Sequence, residues 1–374
     1  MTAESLHVGL LTSDLNLQHG WARYSLEMAN ALRRAGVDVT LITARNSPPL
    51  PGVEIHPILP SLNPMDRGLL PRQFSALPRV RALFQDCDLI HAMVEPYAPL
   101  AVRVPGGRPV FVTAHGSYVR ANRMRQPPAS WVYAAAFQRA ELVCVSYYTE
   151  KVAQATLSPV STRVIGNGVD AETFSQVYHV GGGSTPTVLF VGAVKARKGV
   201  LELVRAAAKV RERVPGVCFR IVGALDAEPD YADQVRRAAD ELKLGGVVEF
   251  AGRISDDALL KAYAHADIFA LPSVNIGWKF EGFGLALLEA SAAGLPVIGS
   301  RDCGAEDAVV EGETGLLVAQ THLERDLADA ILRLLSDPVA AARMGAAGRA
   351  FAAAHTWDRA AAALIGAYRE ALRR

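Results

Sequence analysis

Short apolar runs alternate along the chain with stretches whose apolar residues recur every three to four positions. Runs of this kind predict buried strands, and spacings of this kind predict amphipathic helices. In the first half the predicted strands are His7–Thr12, Val37–Thr43, Val53–Ile58, Asp88–Met93, Pro109–His115 and Glu141–Ser146. The helices predicted between them are Trp21–Arg34, Leu77–Phe84, Trp131–Arg139 and Thr149–Ala155. Asp14–Gly20 and Ser61–Arg72 are predicted to be loops.

The same alternation restarts after a glycine-rich break, Gly181–Ser184 followed by Pro186, which predicts a flexible linker. The strands predicted after it are Val188–Val191, Cys218–Val222, Val247–Ala251, Ile268–Leu271, Val297–Gly299 and Thr314–Val318. The predicted helices are Val200–Arg213, Tyr231–Leu242, Asp256–Ala264, Leu285–Ala293, His322–Leu335, Pro338–His355 and Trp357–Arg374.

Alternating strands and helices are typical of a parallel sheet with helices on both faces. The chain has 374 residues, enough for two domains that each bury a core. We therefore predict an α/β protein with two doubly wound, Rossmann-like domains, residues 1–174 and 188–355, joined by a linker at residues 175–187. A final amphipathic helix, residues 356–374, carries Leu364, Ile365, Tyr368 and Leu372 at helical spacing.

Composition narrows the class of protein. Half of the residues are hydrophobic, which excludes a disordered chain, and a net charge of +1 argues against nucleic-acid binding. The N-terminus does not have the pattern of a signal peptide, and no apolar run approaches the ~18 residues of a membrane span. We expect a soluble, cytoplasmic protein, with peripheral contact to the inner face of a membrane left open. Four cysteines are scattered without a CxxC pair: Cys87, Cys144, Cys218 and Cys303. Three of them sit in or beside apolar runs and are expected to be reduced core thiols, not zinc ligands or disulfides.

The stretch EGFGLALLEASAAGLPVIGS, residues 281–300, contains the most informative pattern. It opens with a carboxylate, Glu281, and a phenylalanine between two glycines. A helix-forming run follows, and Gly294 and Pro296 end it before a short buried strand. Glycine lets a ligand approach the backbone, and the free N–H groups of a helix's first turn favour an anion. The stretch therefore predicts a site for a phosphate-bearing ligand.

A second carboxylate, Glu289, lies between Leu288 and Ala290 in a helix that is otherwise apolar. Because burying an unpaired carboxylate is costly, we expect Glu289 to face a cleft and to accept hydrogen bonds. Paired sugar hydroxyls are natural donors for it. The structural alternative is a helix cap at Glu281 and a solvated Glu289, which the glycines and the helix stop disfavour.

The pattern from Glu281 to Glu289 resembles the EGFG-x4-E signature of the retaining glycosyltransferases of family 4. The resemblance implies the GT-B architecture, in which two Rossmann-like domains face each other across a cleft and the last helix crosses back onto the N-terminal domain. It implies a catalytic role for Glu281 beside the donor sugar and places Glu289 on the ribose of the nucleotide. It also implies donor contacts, through backbone N–H groups near Phe283, from Gly282, Phe283, Gly284 and Leu285.

Two further candidates lie in the first half of the chain. Thr113–Gly116 ends a predicted strand and resembles the family's THG motif, which implies that His115 lies at the reacting sugar and takes part in catalysis. A histidine at the carboxyl end of a strand is also a typical functional residue. Gly20 matches the second glycine of the family's Gly-Gly pair, and His19 replaces the first. Gly20 would let phosphate approach the first helix.

The basic loop, residues 192–199 (GAVKARKG), resembles the family's GR…KG loop, whose arginine and lysine bind the donor diphosphate. Lys198 matches the lysine, whereas Ala193 stands where the family has arginine. Cations are unfavourable at a helix N-terminus unless an anion is bound there, so the cluster indicates a bound phosphate. We predict that Lys195 or Arg197 replaces the missing arginine.

No metal ion or other cofactor is expected. Asp86-Cys87-Asp88 fits the Asp-x-Asp pattern of metal-dependent sugar transferases, but it lies at a predicted helix-to-strand turn, where aspartate is common. Cationic side chains and helix ends can neutralise a diphosphate without a metal.

The sequence therefore predicts a retaining glycosyltransferase that moves a sugar from a nucleotide diphosphate sugar to an unidentified acceptor. The EGFG-x4-E pattern and the match of Asn167–Asp170 to the family's NGVD segment disfavour two alternatives of the same fold, a nucleotide-sugar 2-epimerase and a phosphorylase. A dinucleotide-dependent oxidoreductase would need G-x-G-x-x-G after a strand, whereas Gly181–Gly183 precedes one. A non-catalytic sugar-binding protein would normally carry a signal peptide.

The acceptor is expected on the N-terminal domain, lined by Leu59–Arg72 and Tyr118–Gln126. The second of these segments is basic and contains Arg120, Arg123 and Arg125. These arginines would bind a phosphorylated or lipid-linked acceptor, or they would simply be the solvated charges of a surface loop, and the sequence favours neither.

Overall fold

A computed structural model describes residues 6–15, 20–49, 53–62, 68–120, 126–176 and 185–374. The chain divides into two compact units. The first unit comprises the described part of Met1–Asn167 together with Trp357–Arg374, and the second comprises the described part of Gly168–Thr356. The glycine-rich break of the predicted linker, residues 181–184, lies outside the described residues.

Parallel strands form the centre of the first unit: β1 (His7–Leu11), β2 (Asp38–Ala44), β3 (Ile55–Leu59), β4 (Leu89–Ala92), β5 (Val110–Ala114), β6 (Glu141–Cys144) and β7 (Ser161–Val164). They pair in the order β3-β2-β1-β4-β5-β6-β7. The helices between them are α1 (Gly20–Arg34), α2 (Leu69–Ser75), α3 (Leu77–Leu83), α4 (Ala98–Ala101), α5 (Ala129–Gln138) and α6 (Tyr147–Leu157).

The second unit repeats this plan with β8 (Thr187–Val191), β9 (Cys218–Val222), β10 (Val248–Gly252), β11 (Ile268–Ala270), β12 (Val297–Ser300) and β13 (Gly315–Val318). These strands pair in parallel in the order β10-β9-β8-β11-β12-β13. Its helices are α7 (Ala171–Ser175), α8 (Val200–Arg213), α9 (Pro229–Glu241), α10 (Asp256–His265), α11 (Leu285–Ala292), α12 (Leu323–Ser336) and α13 (Pro338–Ala353).

The strand order reverses once in each sheet, between β1 and β4 and between β8 and β11. At such a reversal the loops after the two central strands leave in opposite directions and open a crevice at the carboxyl edge of the sheet. The two sheets confirm the predicted pair of doubly wound α/β domains. No helix formed by the described residues is long and apolar enough to span a membrane.

The last helix, α14 (Trp357–Ala371), packs on the first unit. The Trp357 ring meets the Tyr24 ring of α1 edge-on, with 5.7 Å between centroids. Two ion pairs also join α14 to the first unit. The distance between nitrogen and oxygen is 2.6 Å for Arg34 and Asp358 and 2.7 Å for Arg163 and Glu370.

The structure differs from the sequence-based expectation in several segments. The short helices α4 and α7 were not predicted. The loop predicted for Ser61–Arg72 is wrong from Leu69 onward, because α2 begins there; residues 63–67 lie outside the described residues. Pro71 is compatible with this helix because it lies in the first turn, where a backbone N–H has no intrahelical partner. The strand β7, with the sequence STRV, was not predicted, because it is an edge strand and carries mostly polar side chains.

Candidate functional site

Two loops meet at the carboxyl edge of the second sheet, where its strand order reverses. The basic loop follows β8, and residues 271–284 follow β11, the strand paired with β8. Gly199, with φ of +67°, lies where they touch: a Cβ atom there would be 1.8 Å from the carbonyl oxygen of Pro272. The N–H of Val274 donates to the carbonyl oxygen of Arg197 at 2.8 Å. The two loops are therefore packed backbone to backbone, which only glycine at position 199 permits.

Glu281 lies at the centre of this contact. Its Oε2 is 2.8 Å from Nη1 of Arg197 and 2.5 Å from Nζ of Lys198, and it also accepts a hydrogen bond from Oγ of Ser273 at 3.2 Å. The Glu281 side chain is buried, and both cations are partly buried. A buried carboxylate with two cations is a strong interaction because little water screens it.

These partners determine the charge of the cluster. Burial raises the pKa of Glu281, but the two neighbouring cations, Lys198 and Arg197, lower it by more, so that the pKa falls to about 2. Burial lowers the pKa of Lys198, while Glu281 acts in the opposite direction. Glu281 is therefore an anion at neutral pH, in contact with two groups that would also bind phosphate.

Lys195, the other cation considered at the sequence level, forms no ion pair with any residue that the structure describes. Burial and Arg197 lower its pKa, whereas Glu228 raises it. The N–H of Ala196 donates to Oε2 of Glu228 at 2.9 Å, so Glu228 holds the backbone of the basic loop. Of the two candidates, Arg197 is the one that shares a partner with Lys198.

The glycines around Phe283 permit another close approach of backbones. Gly284 is the N-cap residue of α11 and has a φ of +89°, and a Cβ atom on Gly304 would lie 2.0 Å from the carbonyl oxygen of Gly282. The N–H of Gly304 donates to the carbonyl oxygen of Glu281 at 2.8 Å. The Phe283 side chain is buried, so only the backbone of this segment is suited to contact a ligand.

Glu289 lies in α11, one helix turn beyond Leu285, and is buried. Its Oε2 accepts a hydrogen bond from the hydroxyl of Tyr263 at 3.0 Å. Tyr263 is fixed by edge-on packing against Phe174, with 5.5 Å between ring centroids. Tyr263 thus orients the Glu289 carboxylate, a contact that the sequence did not predict.

In the first unit, His115 directly follows β5. Its N–H donates to Oε1 of Glu95 at 2.6 Å, and its Nε2 lies 2.8 Å from the carbonyl oxygen of Met93. A carbonyl oxygen can only accept, so Nε2 carries the proton in this contact. Burial lowers the pKa of His115 to about 4, with the Met93 carbonyl acting in the opposite direction, and the ring is neutral at pH 7.

Aromatic side chains of α1 surround the His115 ring. The Tyr24 ring meets it edge-on at 4.6 Å between centroids, and the Trp21 ring lies at 6.5 Å. Trp21 also contacts Tyr118, at 4.9 Å between centroids. Gly20, the first residue of α1, is exposed and would have open space at a Cβ position. Because Gly20 directly precedes Trp21 in the chain, it lies next to the aromatic side chains that pack around His115.

Two family models match the chain. The model described as "Glycosyl transferases group 1" matches residues 180–351, and the model described as "Glycosyltransferase Family 4" matches residues 19–173. A GDP-mannose-dependent alpha-(1-6)-phosphatidylinositol monomannoside mannosyltransferase of Mycobacterium tuberculosis is 33% identical over 306 residues, covering 76% of this chain and 77% of the relative. The chain belongs to glycosyltransferase family 4.

Other relatives align with almost the whole length of this glycosyltransferase. A D-inositol 3-phosphate glycosyltransferase of Pseudarthrobacter chlorophenolicus is 28% identical over 404 residues, covering 94% of this chain and 90% of the relative. The solved structure of a sucrose-phosphate synthase from Thermosynechococcus elongatus has a TM-score of 0.77 and 25% identity, with 98% of each chain covered. The predicted family and the GT-B fold class are confirmed.

The predicted site residues of this glycosyltransferase divide between the units. His115 and Gly20 lie in the first, and Lys195, Arg197, Lys198, Glu281–Leu285 and Glu289 lie in the second. Within the second unit, Arg197, Lys198 and Glu281 are in direct contact. Contacts missed by the sequence reasoning come from Glu95, Glu228, Tyr263 and Ser273.

Proposed function

We propose that this glycosyltransferase takes its sugar from a nucleoside diphosphate sugar and retains the configuration of the anomeric carbon. The contact of Arg197 and Lys198 with Glu281 carries the proposal. Two cations beside the N-terminus of α11, at the carboxyl edge of a doubly wound sheet, form a set of groups suited to a diphosphate. Glu289, oriented by Tyr263, is suited to accept hydrogen bonds from the two ribose hydroxyls.

These groups would act where charge develops during the reaction. The bond between the anomeric carbon and the phosphate oxygen breaks, and Arg197, Lys198 and backbone N–H groups near Phe283 stabilise the leaving diphosphate. The acceptor's hydroxyl oxygen bonds to the anomeric carbon on the same face, and its proton passes to the departing phosphate oxygen. Glu281 and His115 would orient the sugar through its hydroxyls.

We also propose that the reaction needs no metal ion. Asp86 and Asp88 precede β4, at the amino end of the strand, where Asp88 accepts a hydrogen bond from the N–H of His7 at 2.8 Å. His115 follows the carboxyl end of the neighbouring strand β5. The Asp-x-Asp pair therefore lies at the opposite edge of this sheet from His115.

The names of the relatives suggest which substrates to test first. The Mycobacterium tuberculosis relative is GDP-mannose-dependent, and both relatives named above act on inositol-containing acceptors. We propose GDP-mannose as the first donor and phosphorylated inositols, free or lipid-linked, as the first acceptors. The acceptor-lining residues 63–67 and 121–125 lie outside the described residues. The cytoplasmic location and peripheral membrane contact stay predictions, which cell fractionation would check.

The test is a panel of nucleoside diphosphate sugars, each with and without acceptor, in which released nucleoside diphosphate is measured. We expect release to depend on the acceptor and to persist in EDTA, and we expect NMR of the product to show the anomeric configuration of the donor. Release that needs no acceptor, an inverted product, or complete loss in EDTA reversed by manganese would each contradict one part of the proposal.

A further inference from the structure

A carboxylic acid without an obvious structural purpose is buried close to His115. Glu95 lies in the 3₁₀ turn Glu95–Tyr97, shortly after β4, and its side chain is fully buried. The turn is firmly held, because the carbonyl oxygen of Pro96 accepts hydrogen bonds from Nε2 of Gln73 at 2.9 Å and from the hydroxyl of Tyr133 at 3.1 Å. Glu95 is therefore presented from a rigid element.

The two oxygens of Glu95 differ in their surroundings. Oε1 accepts the N–H of His115 at 2.6 Å, whereas Oε2 is buried and has no hydrogen-bond partner among the described residues. Burial raises the pKa of Glu95 to about 8, and the backbone N–H groups, including those of His115 and Gly116, act in the opposite direction. At neutral pH the group is therefore mainly a neutral acid, and Oε2, which accepts no hydrogen bond from the described residues, is the oxygen suited to carry the proton.

Residues on one short segment thus hold His115 at two points. Glu95 holds its main chain, and the carbonyl oxygen of Met93, two residues earlier, holds Nε2–H of its ring. In the neutral ring this leaves Nδ1 as the nitrogen with a free lone pair, and no described residue donates a hydrogen bond to it. A nitrogen of this kind accepts a hydrogen bond from a hydroxyl group.

We propose that Glu95 is a positioning residue for His115. By accepting the backbone N–H at the end of β5, it keeps the imidazole against the Met93 carbonyl, so that Nδ1 is directed at a hydroxyl of the bound sugar or acceptor. The proposal rests on the proposed function, in which His115 orients the sugar, and it assigns the tautomer and the direction of that contact.

The alternative is that Glu95 only stabilises the fold, and three variants separate the two. Glu95→Leu removes the acceptor and leaves the His115 N–H unpaired. Glu95→Gln keeps an acceptor oxygen and replaces the protonated oxygen with a neutral amide nitrogen, so it imitates the neutral acid. Tyr133→Phe is the matched control, because it removes one buried hydrogen bond from the same turn without touching His115.

Steady-state kinetics with acceptor, and calorimetric titration with nucleoside diphosphate, are measured for each variant. We expect Glu95→Leu to lower kcat by about a hundredfold, the loss typical of a misplaced catalytic contact, with nucleoside diphosphate affinity unchanged within about twofold. Glu95→Gln and Tyr133→Phe should keep kcat within about threefold. Equal losses in Glu95→Leu and Tyr133→Phe, or full activity in Glu95→Leu, would overturn the positioning role.

A second measurement needs neither activity nor a folded Leu variant. Nitrogen-15 NMR of histidine-labelled wild-type protein, with the His115 signals assigned by their absence in His115→Ala, reports which ring nitrogen carries the proton. We expect the proton on Nε2 in the wild type and in Glu95→Gln. A proton on Nδ1 in the wild type would refute the proposal. If no donor sugar is turned over, the proposed function fails, while this measurement still tests the assigned tautomer and direction of the His115 ring.

Discussion

Arg197 is the cation that we expect to replace the arginine absent at position 193, because it shares Glu281 with Lys198 and Lys195 does not. We predict that Arg197→Ala and Lys198→Ala each weaken nucleoside diphosphate binding by about 1.5–3 kcal/mol, the range for hydrogen bonds to charged groups. Lys195→Ala should weaken it by less than about 0.7 kcal/mol. Calorimetric titration measures all three.

Removing one cation also leaves Glu281 with fewer partners, so the melting temperature of each variant must be measured beside its affinity. Lys209→Ala is a suitable control, because Lys209 is a half-exposed cation of the same unit that pairs with Glu324. It should change neither quantity appreciably. A strong effect of Lys195→Ala with a silent Arg197→Ala would reverse our assignment.

Glu289 gives a second prediction about single residues. Glu289→Ala should weaken nucleoside diphosphate binding by about 1.5–3 kcal/mol, because the ribose hydroxyls would lose a charged acceptor. Tyr263→Phe removes only the hydroxyl that orients the carboxylate and should cost about 1 kcal/mol. Calorimetric titration is the measurement; unchanged affinity in a folded Glu289→Ala variant would remove Glu289 from the site.

The low pKa of Glu281 predicts an acid-dependent loss of stability. Its value of about 2, against 4.5 for the unperturbed group, means that the folded state binds the proton less tightly than the unfolded state. The stabilisation is therefore complete above about pH 4.5 and is lost as the pH falls towards 2, by at most about 1.4 kcal/mol per pH unit. Calorimetry should show the stability difference between wild type and Glu281→Gln shrinking over this range. A difference that stays constant with pH would argue against the ion pairs.

At the scale of elements, the strands were predictable because buried parallel strands are nearly continuous apolar runs. Leu10 and Ile90 of the central strands β1 and β4 are fully buried, and both runs were found from the sequence. The failures have local causes. Pro71 suggested a loop but lies in the first turn of α2, and β7 is polar because it lies at a sheet edge.

The candidate site was predictable where a residue type conflicts with its surroundings. Glu289 was found because it is a lone carboxylate in an apolar helix. Glu95 shows the same signal in HAMVEPYAPL, and applying the rule to every apolar run would have found it. The choice between Lys195 and Arg197 could not be made from sequence. Both lie in one loop, and the choice depends on the direction of each side chain at the turn before Gly199.

The packing of the two loops at the carboxyl edge predicts a strict requirement for glycine. Gly199→Ala would place a Cβ atom 1.8 Å from the Pro272 carbonyl oxygen at a φ of +67°. We expect a destabilisation of more than about 1 kcal/mol from the left-handed backbone alone, and a further loss because the loops must separate. Nucleoside diphosphate affinity should fall at least tenfold.

Gly216→Ala is the matched control for this substitution, since a Cβ atom at position 216 would meet nothing within 4 Å. It should leave the melting temperature and the affinity close to those of the wild type. If Gly199→Ala behaves in the same way, the contact between the basic loop and the loop after β11 is not needed for donor binding.

At the scale of the whole chain, the final helix returns to the first unit and connects to His115 through buried polar groups. Tyr368 of α14 forms a 2.5 Å hydrogen bond with Nδ1 of His91, and Nε2 of His91 lies 2.9 Å from Oγ1 of Thr113. Thr113 in turn contacts the hydroxyl of Tyr24 at 3.1 Å, and the Tyr24 ring packs on His115. The chain terminus thus supports the candidate site through a continuous network.

This network yields the last prediction. Burial lowers the pKa of His91 to about 3, with His115 acting in the same direction, so the ring is neutral. Both ring nitrogens are buried and need hydrogen-bond partners inside the protein, and Tyr368 is the partner of Nδ1. Tyr368→Phe removes that partner and should destabilise the first unit by about 1–3 kcal/mol, the cost of an unsatisfied buried polar group. Asp358→Asn, which weakens an exposed ion pair with Arg34 on the same helix, should cost less than about 1 kcal/mol. Calorimetric unfolding measures both. Nucleoside diphosphate affinity, which we propose to depend on residues of the second unit, should stay within about twofold in Tyr368→Phe, while kcat should fall because Tyr24 and His115 lose their support. Equal melting temperatures for Tyr368→Phe and wild type would mean that α14 is held by its apolar face alone.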